Sequence, residues 1–99
     1  MKSTTLNPTP EKIAAILRAG GHPIRVKILQ LLKKEGEVSV NDIVAKINGE
    51  QSLTSHHLML LTKAGYLKGR RSGKFIYYSI VSEERYGLLE TVVSILGKD

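Results

Sequence analysis

Apolar residues recur every three to four positions in five stretches of the chain, the spacing that places them on one face of a helix. The period changes to two over residues 66–80, where Ser72-Gly73 separates two short runs as the tip of a hairpin would. Residues 37–40 fit either a brief strand or an extended entry to the next helix. The pattern predicts a mainly α-helical chain with a small β-hairpin. The predicted helices cover residues 10–19, 23–34, 40–47, 51–64 and 83–97.

The third and fourth predicted helices are close neighbours in the sequence. A three-residue linker separates them, and its Asn48-Gly49 pair is a signal for a tight turn. Two short helices joined in this way form a helix-turn-helix, and the hairpin that follows completes the element order of a winged helix-turn-helix. We expect this fold to occupy residues 10–99, after a polar and flexible N-terminal arm at residues 1–9.

The opening turns of the fourth helix carry short hydrogen-bonding side chains, and apolar anchors such as Leu58 and Leu61 follow them. A helix that inserts its N-terminal end into the major groove of DNA needs this layout, because donors and acceptors read base edges while the far end packs on the core. The same residues would suit the cap and solvent-exposed positions of an ordinary helix, and that alternative is open. The candidate DNA contacts in this helix are Gln51, Ser52, Thr54, Ser55 and His56.

Positive charge is concentrated at the hairpin tip. Lysine and arginine number 15 against 9 acidic residues, giving a net charge of +6, which favours a polyanionic partner such as nucleic acid. Arg70, Arg71 and Lys74 lie where a wing would follow the DNA backbone and neutralise phosphates. Charged residues at a hairpin tip also discourage strand-edge aggregation, so each has a structural alternative. The surrounding G-R-R-S-G-K is one residue too short for a phosphate-binding loop and leads into a strand, which argues against a nucleotide site.

The first and last predicted helices carry more apolar surface than one small core can bury. On the last helix, two apolar stripes lie side by side and form an arc wider than a single core-facing side requires. A chain of 99 residues also buries only a modest part of its unfolded surface, so a second subunit would add stability. We expect a homodimer through these two helices. The predicted interface contains Ile13, Ile16, Leu17, Leu89, Val93 and Leu96.

Three segments together resemble the ArsR/SmtB family of bacterial transcriptional repressors. They are H-P-I-R-V-K-I-L from His22, Q-S-L-T-S-H-H-L-M-L-L-T-K-A-G-Y-L from Gln51, and K-G-R-R-S-G-K-F-I-Y-Y-S-I from Lys68. The resemblance implies a dimer that blocks promoters by binding an inverted-repeat operator in double-stranded DNA. Glu50 departs from the family, which usually has serine there, and its carboxylate would turn away, cap the helix or repel phosphates. The residues that match the family's DNA-contacting motif are Gln51, Ser52, Ser55 and His56.

The metal and thiol sensing known in that family lacks its ligands here. Cysteine is absent, and Ser39 and Asn41 occupy the two thiolate positions of its arsenic and cadmium sensors. Zinc sensors of the family use histidine on the last helix, yet no histidine follows His57. His56 and His57 are consecutive on a helix and point about 100° apart, which does not suit one ion. We expect no metal and no cofactor, with His57 packed or facing a neighbouring helix and His22 capping the second helix. The signal is left open, and an unidentified effector is one candidate.

Catalysis and membrane insertion are not indicated by the sequence. It shows no spacing typical of a Ser-His-acid triad or of paired carboxylates, and no apolar run approaches the about 20 residues that span a bilayer. The N-terminus lacks the apolar segment of a signal peptide, so we expect a cytoplasmic protein without a membrane partner. The favoured function is a sequence-specific DNA-binding regulator that acts as a repressor. The alternative is a winged-helix dimer whose exposed helix and hairpin bind another protein.

Overall fold

A computed structural model of the chain describes residues 8–99, and within this range it contains five helices and one three-stranded sheet. The predicted arm at residues 1–9 lies mostly outside the described residues and stays a prediction. The elements in chain order are α1 (Pro10–Gly20), α2 (Pro23–Glu35), β1 (Val38–Ser39), α3 (Val40–Ile47), α4 (Gln51–Lys63), β2 (Leu67–Ser72), β3 (Phe75–Ile80) and α5 (Glu83–Leu96).

Side-chain caps set the starts of three helices. Thr9, Ser39 and Ser82 each accept a hydrogen bond from the backbone N–H three residues later, at 3.2, 3.2 and 3.0 Å. Each bond satisfies one of the amide groups that the first turn of a helix leaves without a partner. The positions of these caps explain why the observed helices α1, α3 and α5 begin where the sequence predicted.

The turn between α3 and α4 is tight because two residues in it have special backbone requirements. Asn48 adopts the left-handed conformation, with φ 53° and ψ 47°, which asparagine tolerates better than most residues. A Cβ atom at Gly49 would lie 2.7 Å from the Thr54 hydroxyl oxygen, so a larger residue does not fit without displacement. The turn therefore brings the start of α4 directly against the end of α3.

The strand order in the sheet is β1-β3-β2, with antiparallel pairing throughout. The segment at residues 37–40 thus includes a short strand, and Val38 pairs with Tyr78. The β2–β3 hairpin, called the wing below, is joined to the entry of the helix-turn-helix through this pairing. β1 pairs with the wing strand β3 and leads directly into α3. The sheet therefore fixes the position of the wing relative to the helix-turn-helix that contains α4.

The hydrophobic core lies between α2, α3, α4 and the sheet. Its largest fully buried side chains come from these elements and the segment that follows α4, and truncating any such leucine or isoleucine to alanine typically costs about 2–5 kcal/mol. The helix α5 contributes little, since only Tyr86 of its residues is buried. The fully buried apolar residues are Ile28, Leu29, Leu32, Ile43, Leu58, Leu61 and Tyr66.

Candidate nucleic-acid interface

The N-terminal turns of α4 present polar side chains to solvent. Gln51, Ser52, Ser55 and His56 are all exposed. Successive residues of a helix are rotated by about 100°, so these four positions form one continuous strip along α4. Met59, which the sequence analysis did not single out, is 47% exposed one turn further along and extends the strip. The strip offers hydrogen-bonding groups followed by one apolar contact.

Thr54 does not belong to this exposed strip. It is 1% exposed, and its hydroxyl lies beneath the turn at Gly49. The rotation of about 100° per residue places it on the side of α4 that faces the protein. The structure argues against the predicted DNA contact of Thr54, because this side chain is enclosed by the α3–α4 turn and is not part of the exposed strip.

Glu50 caps the helix α4. Its carboxylate oxygens accept hydrogen bonds from the backbone N–H groups of Ser52 at 2.8 Å and Leu53 at 3.0 Å. These backbone hydrogen bonds hold the pKa of the carboxyl below its ordinary value. Of the three arrangements considered for this residue, capping is the one observed. The amide groups that a phosphate could have used at this helix end are consequently occupied by a side chain of the protein.

The two arginines of the wing have different surroundings. The guanidinium of Arg70 makes a two-pronged ion pair with the carboxylate of Glu37, at 2.7 and 2.9 Å, and lies 5.1 Å from the centre of the Tyr77 ring. This hydrogen bonding keeps the pKa of Glu37 below its ordinary value. Arg71 and Lys74 are exposed, and neither forms an ion pair within residues 8–99. Arg71 and Lys74 thus have positive charge available for an external anion, whereas Arg70 is largely neutralised.

A groove connects the start of α4 with the tip of the wing. Residues from both elements line it, together with residues from the β1–α3 junction, so the polar strip and the cationic tip belong to one surface. Asn41, exposed at the first turn of α3, is a polar group of this surface that the sequence analysis did not assign to DNA. The lining residues are Ser39, Val40, Asn41, Gln51, Ser55, Lys74, Phe75 and Ile76.

Behind the exposed strip, α4 makes a buried polar contact. His57 is 4% exposed, and its Nδ1 atom lies 3.0 Å from Nη1 of Arg25. The prediction that His57 packs or faces a neighbouring helix is confirmed. His22 accepts a hydrogen bond from the backbone N–H of Ile24 at 3.1 Å, which confirms its predicted role as the cap of α2. The buried position of Arg25 was not predicted, because spacing alone does not distinguish an inward arginine from a solvent-exposed one.

Apolar side chains remain exposed on α1 and α5 in the single chain. Of the predicted interface residues, Ile13, Leu17, Val93 and Leu96 are 48–63% exposed, while Ile16 and Leu89 are half-buried against the core. The second stripe of α5 is exposed as well. We call the two helices' exposed apolar surface the dimer face. Its further members on α5 are Leu88, Val92 and Ile95.

The part of the chain that the structure describes offers no set of side chains that fits a metal ion. Among residues 8–99, no group of three or more His, Cys, Asp or Glu side chains is placed to hold one. The Ser39 hydroxyl is engaged as the cap of α3, and on α5 the carboxylate of Glu83 pairs with Lys33 at 2.7 Å. None of the helices in the described part of the chain is long and apolar enough to cross a membrane.

A helix-turn-helix with an exposed polar strip beside a basic β-hairpin defines the winged helix-turn-helix class of regulators. Residues 22–68 match the family described as bacterial regulatory protein, arsR family. An HTH-type transcriptional regulator of Methanocaldococcus jannaschii is 38% identical over 82 residues, covering 83% of this chain and 92% of that protein. The chain belongs to the arsR family, and it is a DNA-binding transcriptional regulator.

Two further relatives carry more informative descriptions. The transcriptional repressor SdpR of Bacillus subtilis is 40% identical over 65 residues, covering 66% of this chain and 71% of that protein. The homodimeric winged helix-turn-helix DNA-binding domain of a possible ArsR-family regulator from Mycobacterium bovis has 27% sequence identity and a TM-score of 0.79, with coverage of 89% of this chain and 81% of that chain. The predicted family and fold class are thereby confirmed.

Proposed function

We propose that this chain represses transcription as a homodimer, with α4 in the major groove of the operator and the wing along the adjacent backbone. The observation that carries the proposal is the single surface formed by the polar strip of α4 and the cationic wing tip. The relative SdpR of Bacillus subtilis is described as a transcriptional repressor, which supports repression rather than activation. Binding to a promoter would repress by blocking access to it.

The side chains of the strip suit the reading of base edges. Gln51 can make paired hydrogen bonds to adenine, and Ser52 and Ser55 can reach a base or a phosphate. His56 can donate to a phosphate or to guanine. Arg71 supplies positive charge that neutralises phosphates without regard to sequence. The proposal therefore assigns specificity to α4 and sequence-independent affinity to the wing.

The dimer face determines how two copies would approach DNA. Burying the exposed apolar residues of α1 and α5 against a second copy removes a large hydrophobic surface from water, which a monomer rarely leaves uncovered. A two-fold dimer presents two reading helices, so its operator should be an inverted repeat with half-sites about one helical turn apart, or roughly 10 base pairs. The homodimeric description of the Mycobacterium bovis neighbour supports this arrangement.

The inducing signal is not assigned to a metal, because the described residues provide no fitting set of ligands. The alternative of a protein-binding module is not favoured, since the relatives are transcriptional regulators and the strip and wing tip together suit DNA. An effector that changes the dimer or the position of α4 would be sufficient to release the operator.

Selection of bound sequences from a random pool of double-stranded DNA tests the proposal directly. We expect the enriched sequences to share an imperfect inverted repeat, and light scattering of the protein to give the mass of a dimer at micromolar concentration. Enrichment of a single unrepeated half-site by a monomer would contradict the dimer. Failure to enrich any sequence, at low salt as well as at moderate salt, would contradict DNA reading.

A further inference from the structure

One buried guanidinium joins three helices. Arg25, at the start of α2, donates from Nε to the backbone carbonyl of Ala19 at 2.6 Å and from Nη2 to that of Arg18 at 3.3 Å, both at the end of α1. Its Nη1 atom lies 3.0 Å from Nδ1 of His57 on α4. Arg25 and His57 are 9% and 4% exposed, so water competes little for these bonds.

The hydrogen bond to Arg25 requires one protonation state of His57. Arginine carries only donors and stays charged, so Nδ1 of His57 must be the unprotonated acceptor. Burial, together with the neighbouring His22, Arg25 and His56, lowers the pKa of His57 below its ordinary value of 6.5. The ring centres of His22 and His56 lie 4.6 and 6.3 Å from that of His57. The groups of α1 that contact Arg25 are the backbone carbonyls of Arg18 and Ala19, which carry no charge.

This contact lies between the two surfaces on which the function depends. His57 lies on the inner side of the same turn of α4 that carries the exposed Ser55 and His56, so a displacement of the helix at His57 also moves these two residues. At the other end of the contact, Arg25 holds the last turn of α1, the helix that contributes Leu17 to the dimer face. The Tyr66 hydroxyl makes a second link from the segment after α4 to α1, donating to a backbone carbonyl at 2.8 Å.

We propose that Arg25 and His57 are positioning residues that fix the reading helix against the dimer helix, and that protonation of His57 breaks this link and weakens DNA binding. The proposal rests on the proposed function, because it concerns how the DNA-reading surface is held in place. A protonated His57 has no acceptor at Nδ1 and would place two positive groups in direct contact in a buried site. Either α4 or the Arg25 side chain must then move.

The lowered pKa of His57 determines how DNA binding should change with pH. The folded, linked state favours neutral His57, so its contribution is complete above the ordinary pKa of 6.5 and is lost as the pH falls toward the lower folded value. His56 is an exposed imidazole on the surface that would face phosphates, so the experiment is made in a protein that lacks it.

Operator binding by fluorescence anisotropy at about pH 7.5 and about pH 5.5, at constant ionic strength, tests the proposal. The His56→Asn background leaves no imidazole on the exposed strip of α4, and each protein is compared with itself at the two pH values. In that background we expect affinity to fall severalfold on acidification, because protonation of His57 favours the released position of α4. Adding His57→Asn keeps an acceptor near the Nδ1 position but cannot titrate, so the loss should disappear.

Tyr66→Phe is the matched control, because it removes the other hydrogen bond to α1 without adding or removing a group that titrates in this range. Its effect on affinity should be the same at both pH values. Equal affinity of the His56→Asn protein at both pH values would overturn the proposal, as would an undiminished loss in His56→Asn/His57→Asn. Absence of operator binding at either pH would instead contradict the proposed function.

An NMR titration of the wild-type protein tests the link without DNA and without a substitution in the core. We expect the amide signals of residues 18–20 and 51–56 to shift with the same midpoint as the His57 ring, and that midpoint should lie below 6.5. Amide signals that follow only the rings of His22 or His56, or that do not move when His57 titrates, would show that His57 does not position α4.

Discussion

Replacing each wing arginine by alanine should show that Arg70 and Arg71 contribute differently to DNA binding, although the sequence alone does not distinguish them. Arg71 is exposed and has no ion-pair partner within residues 8–99, whereas Arg70 is held by Glu37 through two hydrogen bonds. Only a cation that is free in the unbound protein releases counterions in full when it meets a phosphate. We therefore expect Arg71→Ala to reduce the salt dependence of operator binding more than Arg70→Ala does.

The size of the effect follows from the dimer. Each phosphate contact contributes a slope of about 0.9 to the dependence of log affinity on log salt, so losing one contact in each of two subunits lowers the slope by about 1.8. Over a fourfold change in salt, a slope difference of this size corresponds to a factor of about 12 in affinity. For Arg70→Ala we expect less than half of that change in slope. Glu37→Gln should act in the opposite direction, because it frees Arg70 to meet a phosphate.

The measurement is a salt titration of operator affinity for the wild type and the three variants, with an unrelated duplex as a second ligand. Arg71→Ala should weaken binding to both duplexes by similar factors, since phosphate contacts carry no direct sequence information. Equal slopes for Arg70→Ala and Arg71→Ala, or a slope unaffected by either, would refute the reasoning from the ion pair.

Three further substitutions test the remaining parts of the interface. Gln51→Ala should cost about 1–3 kcal/mol at the operator and relax base preference at one position, as measured by repeating the selection; an unchanged preference would remove Gln51 from base reading. Val93→Glu should give a monomeric mass by light scattering while Ser94→Glu, on the polar side of α5, stays dimeric; a dimeric Val93→Glu would contradict the dimer face. Glu50→Gln removes a negative charge near the reading strip, so it should tighten binding to all sequences, most strongly at low salt; unchanged affinity would mean that the Glu50 carboxylate lies away from the phosphates.

Local patterns were sufficient to predict the elements and most of their ends. The caps at Thr9, Ser39 and Ser82 and the turn at Asn48 act within a few residues of themselves, so their consequences can be inferred from a short stretch of sequence. The exposed members of the α4 strip were predictable for the same reason. Thr54 was included among the predicted contacts because its side chain is polar, whereas its position on the helix turns it toward Gly49 and away from the exposed strip.

By itself, the sequence determined the order of the elements, the excess of positive charge and the apolar stripes of α1 and α5, because these depend on spacing and composition. Only the tertiary structure decided which positive charges are free to contact an external anion and which are paired within the protein. Arg70 is neutralised by Glu37, 33 residues away, and Arg25 meets His57 across 32 residues. Such pairs depend on how helices and strands pack, and a short window of sequence carries no information about that packing. The exposed strip of α4 thus follows from the local sequence, whereas the contacts that position α4 and neutralise Arg70 join residues far apart in the chain.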